Sequence, residues 1–206
     1  MGLIFGSANF SRYRVESALP EDFLEGLPQR ISRFAFQNID ETSDQERSVG
    51  WVNIMDMFDN RLSAMQYLKE PCIALSWRVD VRKVPSKALK RYCREAEEEA
   101  KESEGLEFLS KKRRREIKES VQAKLLKRVI PQSQTYDMIW NLKASTVLFG
   151  SLSNNLCDEF AEFFMQCFGL HLKPVFPYSA ALEILEKEGM APALVDGLRP
   201  SLWEVK

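Results

Sequence analysis

The chain has 206 residues, of which 29 are basic and 30 acidic, and its 45% hydrophobic content suffices for a core in one large domain or two small ones. Its four cysteines form no CxxC pair, and its single histidine has no cysteine or histidine nearby, which argues against a zinc site and favours a reduced cytosolic setting. The sequence contains neither a signal-peptide pattern nor an apolar window long enough to span a membrane, so no membrane partner is expected.

Side-chain periodicity predicts five segments in the first 68 residues. Alternation near the N-terminus, with Arg12 and Arg14 on one face, is typical of a strand, and Pro20 suits the first turn of a helix. In chain order the segments are a strand at 8–16, a helix at 20–33, a polar loop at 38–48, a short extended piece at 50–52 and a strand at 62–68.

The strand predicted at 72–84 is the most regular in the chain. Its apolar residues alternate with Arg78, Asp80 and Arg82, and this period of two indicates one buried face and one face open to water or a ligand. The open face would present two arginines to a polyanion. The alternative is that Arg78 and Asp80 belong to a cross-strand ladder of ion pairs.

The next segment is a predicted pair of helices. The first, at 86–104, follows Pro85, carries many acidic residues in its second half and ends at Gly105. Ser110 is the predicted N-cap of the second helix, which runs to about Ile130 and has one narrow apolar seam. We interpret the pair as an antiparallel hairpin that projects from a sheet and has a wide solvent-exposed surface.

The C-terminal part contains the most amphipathic helix of the chain, in which Phe160, Phe163 and Phe164 have the spacing of core residues. The elements predicted after the hairpin are strands at 134–142, 146–151 and 170–176, helices at 153–168 and 178–188, and a loosely organised tail at 189–206.

The order of these elements predicts an α+β fold with a mostly antiparallel sheet and helices on one side. We expect a central domain formed by two parts of the chain and a tip formed by the hairpin. The expected boundaries are 1–84 with 132–188 for the central domain, 85–131 for the tip and 189–206 for the tail.

Positive charge is concentrated between Leu109 and Arg128, where nine basic residues are accompanied only by Glu116 and Glu119. Such an imbalance favours a polyanionic partner. The alternative is a solvated helix face with ion pairs, for which the acidic half of the preceding helix could supply partners.

The predicted DNA contacts are the basic residues of this run and of the two arginine-bearing strands. If the two strands share a sheet, their four arginines would cover one surface, which suits phosphate contact better than base stacking. The predicted contacts are Arg12, Arg14, Arg78, Arg82, Lys83, Lys111, Lys112, Arg113, Arg114, Arg115 and Lys118.

Catalytic signals are weak. The sequence has no GxGxxG, P-loop, HExxH or GxSxG motif, and no cofactor is predicted. Asp56, Asp59 and Asp80 could be assembled into a Mg²⁺ site for nuclease chemistry, but nothing in their spacing requires it. A metal-dependent nuclease and a protein-interaction module with a charged docking arm remain as alternatives to a DNA-binding protein that is not an enzyme.

Several short blocks occur in a fixed order over about residues 8–177. They are Phe10–Arg14, Phe34–Phe36, Gly50–Val52, a strand closing on Val84–Ser86, Leu109–Lys112, Glu116–Val121, Leu125–Arg128 and Met138–Asn141. This ordered set resembles the RdgC family of bacterial recombination-associated DNA-binding proteins.

The resemblance implies binding of duplex DNA without marked sequence preference, inside a ring-shaped homodimer with a basic inner surface. It also implies antagonism of RecA-type recombinases through occupation of DNA in the cytoplasmic nucleoid. An older label for the family is exonuclease. In the hairpin at 86–130, the resemblance implies a tip that meets its dimer mate, with Val129 and Ile130 at the far end as contact residues.

Only about thirty residues follow Pro177. We therefore interpret the chain as a short family member with a truncated C-terminal region. A closed ring, an open clamp, a dimer through one interface and a mobile-element version of the protein remain alternatives.

Overall fold

A computed structural model describes residues 2, 3, 6 and 9–197 of the chain. The strands in this part are β1 Ser11–Val15, β2 Arg47–Asn53, β3 Leu68–Lys69, β4 Cys72–Val81, β5 Gln132–Asn141, β6 Thr146–Phe149 and β7 Leu172–Pro174. The α-helices are α1 Phe23–Arg33, α2 Ser86–Glu104, α3 Lys111–Leu126, α4 Asn154–Phe168, α5 Pro177–Lys187 and α6 Ala193–Asp196. Of the helices within these described ranges, none is long and apolar enough to cross a membrane.

The strands form a seven-stranded sheet with the order β2-β4-β5-β6-β1-β7, and β3 pairs with β4 at its side. The predicted α+β fold with a mostly antiparallel sheet is therefore confirmed. The chain forms two compact units. Among the described residues, those up to 30, those at 68–74 and those from 137 onward belong to the first unit, and residues 31–67 and 75–136 form the second.

Aromatic side chains of α4 fill the core of the first unit. Phe160 stacks on Phe149 of β6 with ring centroids 3.9 Å apart, and Trp140 of β5 contacts the rings of Phe164 and Phe168 at 5.0 and 5.2 Å. All five are fully buried, and burial of each such side chain contributes about 1.5–3 kcal/mol. The core-facing stripe predicted for this helix is confirmed.

This packing fixes the two faces of β1. Tyr13 and Val15 are buried on the side of α4, and Tyr13 lies 6.2 Å from Phe160. Because successive side chains of a strand point to opposite faces, Arg12 and Arg14 lie on the other face of the sheet. The predicted alternation of this strand is confirmed.

In the second unit, β2 and β4 pair so that Trp51 lies opposite Trp77, and both are buried. The backbone of Trp51 also exchanges hydrogen bonds of 2.9 Å with Phe34 and Phe36. Gly50 permits this close approach, because a Cβ atom at this position would overlap the backbone of Phe36.

The hairpin also belongs to the second unit. Helix α2 has the predicted limits, whereas α3 ends at Leu126, before the predicted end at about Ile130, because the amides of Arg128 and Val129 form turn hydrogen bonds to carbonyl groups three residues back. Ser110 is the N-cap of α3, since its Oγ accepts a hydrogen bond from the amide of Arg113 at 3.2 Å. Gly105 ends α2 with a φ of 63°, a left-handed conformation that favours glycine. An ion pair between Glu104 and Arg113 joins the helices next to the turn, which confirms the antiparallel arrangement.

The strand predicted at 62–68 is wrong. Residues Ser63–Met65 form a 3₁₀ turn, and Leu62, Ala64 and Met65 all have positive φ angles near 50°. Left-handed residues cannot continue a strand, so only Leu68–Lys69 remains extended as β3. The apolar residues Leu62 and Tyr67 are buried from this turn rather than from a pleated strand.

The predicted tail contains a short helix, α6, up to Asp196. The remainder of the tail, 198–206, lies outside the described residues.

Candidate nucleic-acid interface

The basic run of α3 is exposed from its first residue. Lys111, Arg114, Arg115 and Lys118 follow the i, i+3, i+4, i+7 spacing that places side chains on one face of a helix, and all four are exposed. We call these four residues the cationic face. Lys112 and Arg113 are also exposed but point to other sides of the helix.

Part of the positive charge on α3 is paired. Arg113 binds Glu104 of α2 at 2.7 Å and Glu116 at 3.3 Å, and Arg115 binds Glu119 at 2.8 Å. These hydrogen bonds, first to Glu104 and then to Glu116, raise the pKa of Arg113 above its ordinary value. Because these pairs are exposed to water, a phosphate can replace the carboxylate at small cost.

Two of the six glutamates of α2 pair with arginines of the same helix. Arg91 pairs with Glu95 at 2.9 Å and Arg94 pairs with Glu98 at 3.1 Å. In the described part of the chain, no carboxylate forms an ion pair with Lys111, Lys112, Arg114 or Lys118. Those four cations are therefore available to a polyanion.

The expectation that Arg78 and Arg82 lie on an open face is wrong. Their exposed fractions are 7% and 2%, and that of Asp80 is 4%. Arg78 donates two hydrogen bonds of 2.8 Å to Asp80, and its guanidinium lies 4.2 Å from the centre of the Phe36 ring. This ion pair joins residues of the same strand, whereas the alternative considered above was a cross-strand ladder.

Arg82 is buried under the loop that precedes β2. It donates to the carbonyl oxygens of Ser43 and Gln45 at 2.7–3.0 Å and so fastens this loop over the strand. The polar face of β4 is therefore largely covered by other parts of the chain. Lys83, which follows the strand, is exposed.

The expected position of Val129 and Ile130 is also wrong. The turn at 105–110 is the far end of the hairpin, and the basic run begins there. Val129 and Ile130 follow α3 at the end of the hairpin that adjoins the sheet, where they line a cavity of about 440 Å³ with Asp80 and Arg82. The hairpin loop exposes Leu106 and Phe108 instead, and Phe108 is 73% exposed.

A second basic surface lies in the first unit. Arg12 is exposed and Arg14 is partly exposed on the outer face of β1, and Lys173 of β7 is the register partner of Arg14. Directly paired residues of antiparallel strands share a face, so Lys173 joins the two arginines. The sequence did not indicate Lys173, because the register between β1 and β7 cannot be read from either strand alone.

The three aspartates considered for a metal site have structural roles. Asp56 accepts a hydrogen bond from the amide of Phe58, Asp59 accepts from the amide of Arg61, and Asp80 is bound to Arg78. Across residues 2, 3, 6 and 9–197, no three His, Cys, Asp or Glu side chains are grouped so that they could hold a metal ion.

A family model with the description "Putative exonuclease, RdgC" matches residues 8–187. The chain belongs to the RdgC family. This match extends over both units, the hairpin and α5, and it confirms the resemblance found in the sequence. Membership of the RdgC family indicates a recombination-associated role in DNA binding. No curated protein matches the sequence significantly.

The burial of the Arg78–Asp80 pair leads to a stability prediction. In an Arg78→Met variant, Asp80 stays buried without its partner, and we expect the free energy of unfolding to fall by about 3–5 kcal/mol. Urea denaturation followed by circular dichroism measures this change.

The control is Arg12→Met on the exposed face, for which a change within about 0.5 kcal/mol is expected. The double variant Arg78→Met/Asp80→Leu should recover most of the loss. Equal stability of the Arg78→Met and Arg12→Met variants would contradict the structural role of Arg78.

Proposed function

We propose that this RdgC family member binds duplex DNA without sequence preference and, by occupying it, limits the access of RecA-type recombinases. The observation that carries the proposal is the cationic face of α3, whose residues have few acidic neighbours. Contacts between such a surface and DNA go to phosphates, which every sequence presents alike. The exposed Arg12, Lys83, Lys112 and Arg113 and the partly exposed Arg14 are proposed as additional contacts. Arg78 and Arg82 are left out because they are buried.

The phosphate mode predicts a steep salt dependence. With six or so phosphate contacts, the affinity for a random duplex should fall on the order of a thousandfold between about 50 and 200 mM salt. An Arg114→Ala/Lys118→Ala variant should lower the slope of log K against log salt by about two, since each lost contact removes nearly one unit. Fluorescence anisotropy with labelled duplexes of several sequences measures both quantities.

The matched control is Lys90→Ala/Lys124→Ala, which removes the same charge from exposed positions of the hairpin outside the cationic face. Equal slopes of log K against log salt for the two variants, or a loss of affinity confined to one DNA sequence, would contradict the proposal. The same incubation with Mg²⁺ or Mn²⁺ and an end-labelled duplex tests the exonuclease in the family description. Progressive shortening of the duplex would show that the protein is an exonuclease.

Antagonism of a recombinase is expected to require DNA occupancy. The wild-type protein, added to duplex DNA first, should slow strand exchange by a RecA-type recombinase, and Arg114→Ala/Lys118→Ala should restore the rate. If this variant inhibits as strongly as the wild type, the protein contacts the recombinase directly and acts as a protein-interaction module.

A homodimer is part of the proposal. Ile130 is proposed to form the dimer contact together with Val129, because Ile130 is 85% exposed. Ile130→Asp should convert the dimer into a monomer, measured by sedimentation velocity. Phe108→Asp at the hairpin loop is the comparison. Loss of the dimer only with Phe108→Asp would move the contact to the loop, and a monomeric wild type would overturn the dimer altogether.

A further inference from the structure

Helix α5 lies over the basic surface of the first unit. Arg12, Arg14 and Leu148 line one side of a cavity of about 500 Å³, and Glu183 and Lys187 of α5 line the other. The outer face of the sheet, which is opposite to α4, is thus partly covered by this helix.

The contact between α5 and the sheet is light. None of the eleven residues of α5, all of which the structure describes, is buried, and Ile184 is 56% exposed. The ion pair that links α5 to the sheet joins Arg14 Nη1 and Glu183 Oε2 at 2.9 Å, with both side chains accessible to water. Partly exposed pairs of this kind stabilise little, so the helix can leave the surface at low cost.

Arg14 has unused capacity for an anion. Its Nε is buried without a hydrogen-bond acceptor among the described residues, while Nη1 binds Glu183. A guanidinium binds two oxygens of one phosphate side by side, and a phosphate in this place would satisfy the donor that the carboxylate leaves unpaired. Arg12 on the same strand and Lys173 opposite Arg14 add positive charge to this point.

We propose that Arg14, with Arg12 and Lys173, forms a binding site for a DNA backbone phosphate, and that Glu183 occupies this site in the free protein. The carboxylate of Glu183 takes the place of a phosphate oxygen, so α5 acts as a strap that DNA must displace. This inference rests on the proposed DNA binding and adds a self-inhibitory contact to it.

The test compares two variants with the same change in charge. Glu183→Gln removes the competing carboxylate, whereas Glu186→Gln removes an exposed carboxylate three residues further along α5 that is not in the ion pair with Arg14. Affinity for a random duplex at low salt, measured by fluorescence anisotropy, should rise about threefold to fivefold more for Glu183→Gln than for Glu186→Gln. In an Arg14→Gln background the two variants should bind alike.

Hydrogen–deuterium exchange of the wild-type protein gives a second readout that needs no substitution. Saturating duplex should speed exchange of the α5 amides, since DNA displaces the strap. If the wild type binds DNA, but the two glutamate variants bind equally and α5 exchange stays unchanged or slows, the strap is wrong while DNA binding stands. If the wild type does not bind duplex at any salt, the proposed function itself fails.

Discussion

A buried charge needs a partner, and this constraint organises the second unit. The guanidinium of Arg78 is held by Asp80, by the carbonyl of Met57 and by the hydroxyl of Ser133, with the ring of Phe36 beneath it. The cost of removing these charges from water is offset only when every donor is satisfied. The loop that carries Met57 therefore closes over β4, as does the loop of Ser43 and Gln45 that binds Arg82. The strand β4, which the sequence predicts to be open on one face, is therefore buried on its polar face as well. Arg78 and Arg82 do not form a surface that DNA could contact.

The opposite condition governs the hairpin. Its lysines and arginines stay in water, where charge costs nothing to maintain and pairs contribute little. The arginines of α2 occupy Glu95 and Glu98 of their own helix, and one glutamate, Glu104, reaches across to α3. The two helices thus divide the charge unevenly. An almost neutral protein presents one strongly positive helix face because the acidic residues of the hairpin lie mainly on α2.

Local signals in the sequence were sufficient for most of the helix ends. The Ser110 cap, the glycine after Glu104 and the aromatic spacing of α4 each depend on residues within a few positions, and each is confirmed. Features that depend on distant chain segments could not be predicted from local sequence. The cover over Arg82 comes from Ser43 and Gln45, and the covering of β1 by α5 depends on Glu183, about 170 residues away. The cationic face was readable from composition, but its place at the loop end of the hairpin follows from which helix end adjoins the sheet.

The length of the hairpin places its positive charge far from the rest of the second unit. A helix of 19 residues such as α2 is about 28 Å long, so the cations near the loop sit far from the segments at which the hairpin joins the rest of the second unit. A tilt of about 10° at those segments moves the loop end by about 5 Å for a rod of this length. A rigid arm of this kind can follow a curved or a straight polyanion without repacking any core. The length of the hairpin depends on backbone geometry, whereas its affinity for a polyanion depends on charge, so the two properties can change independently.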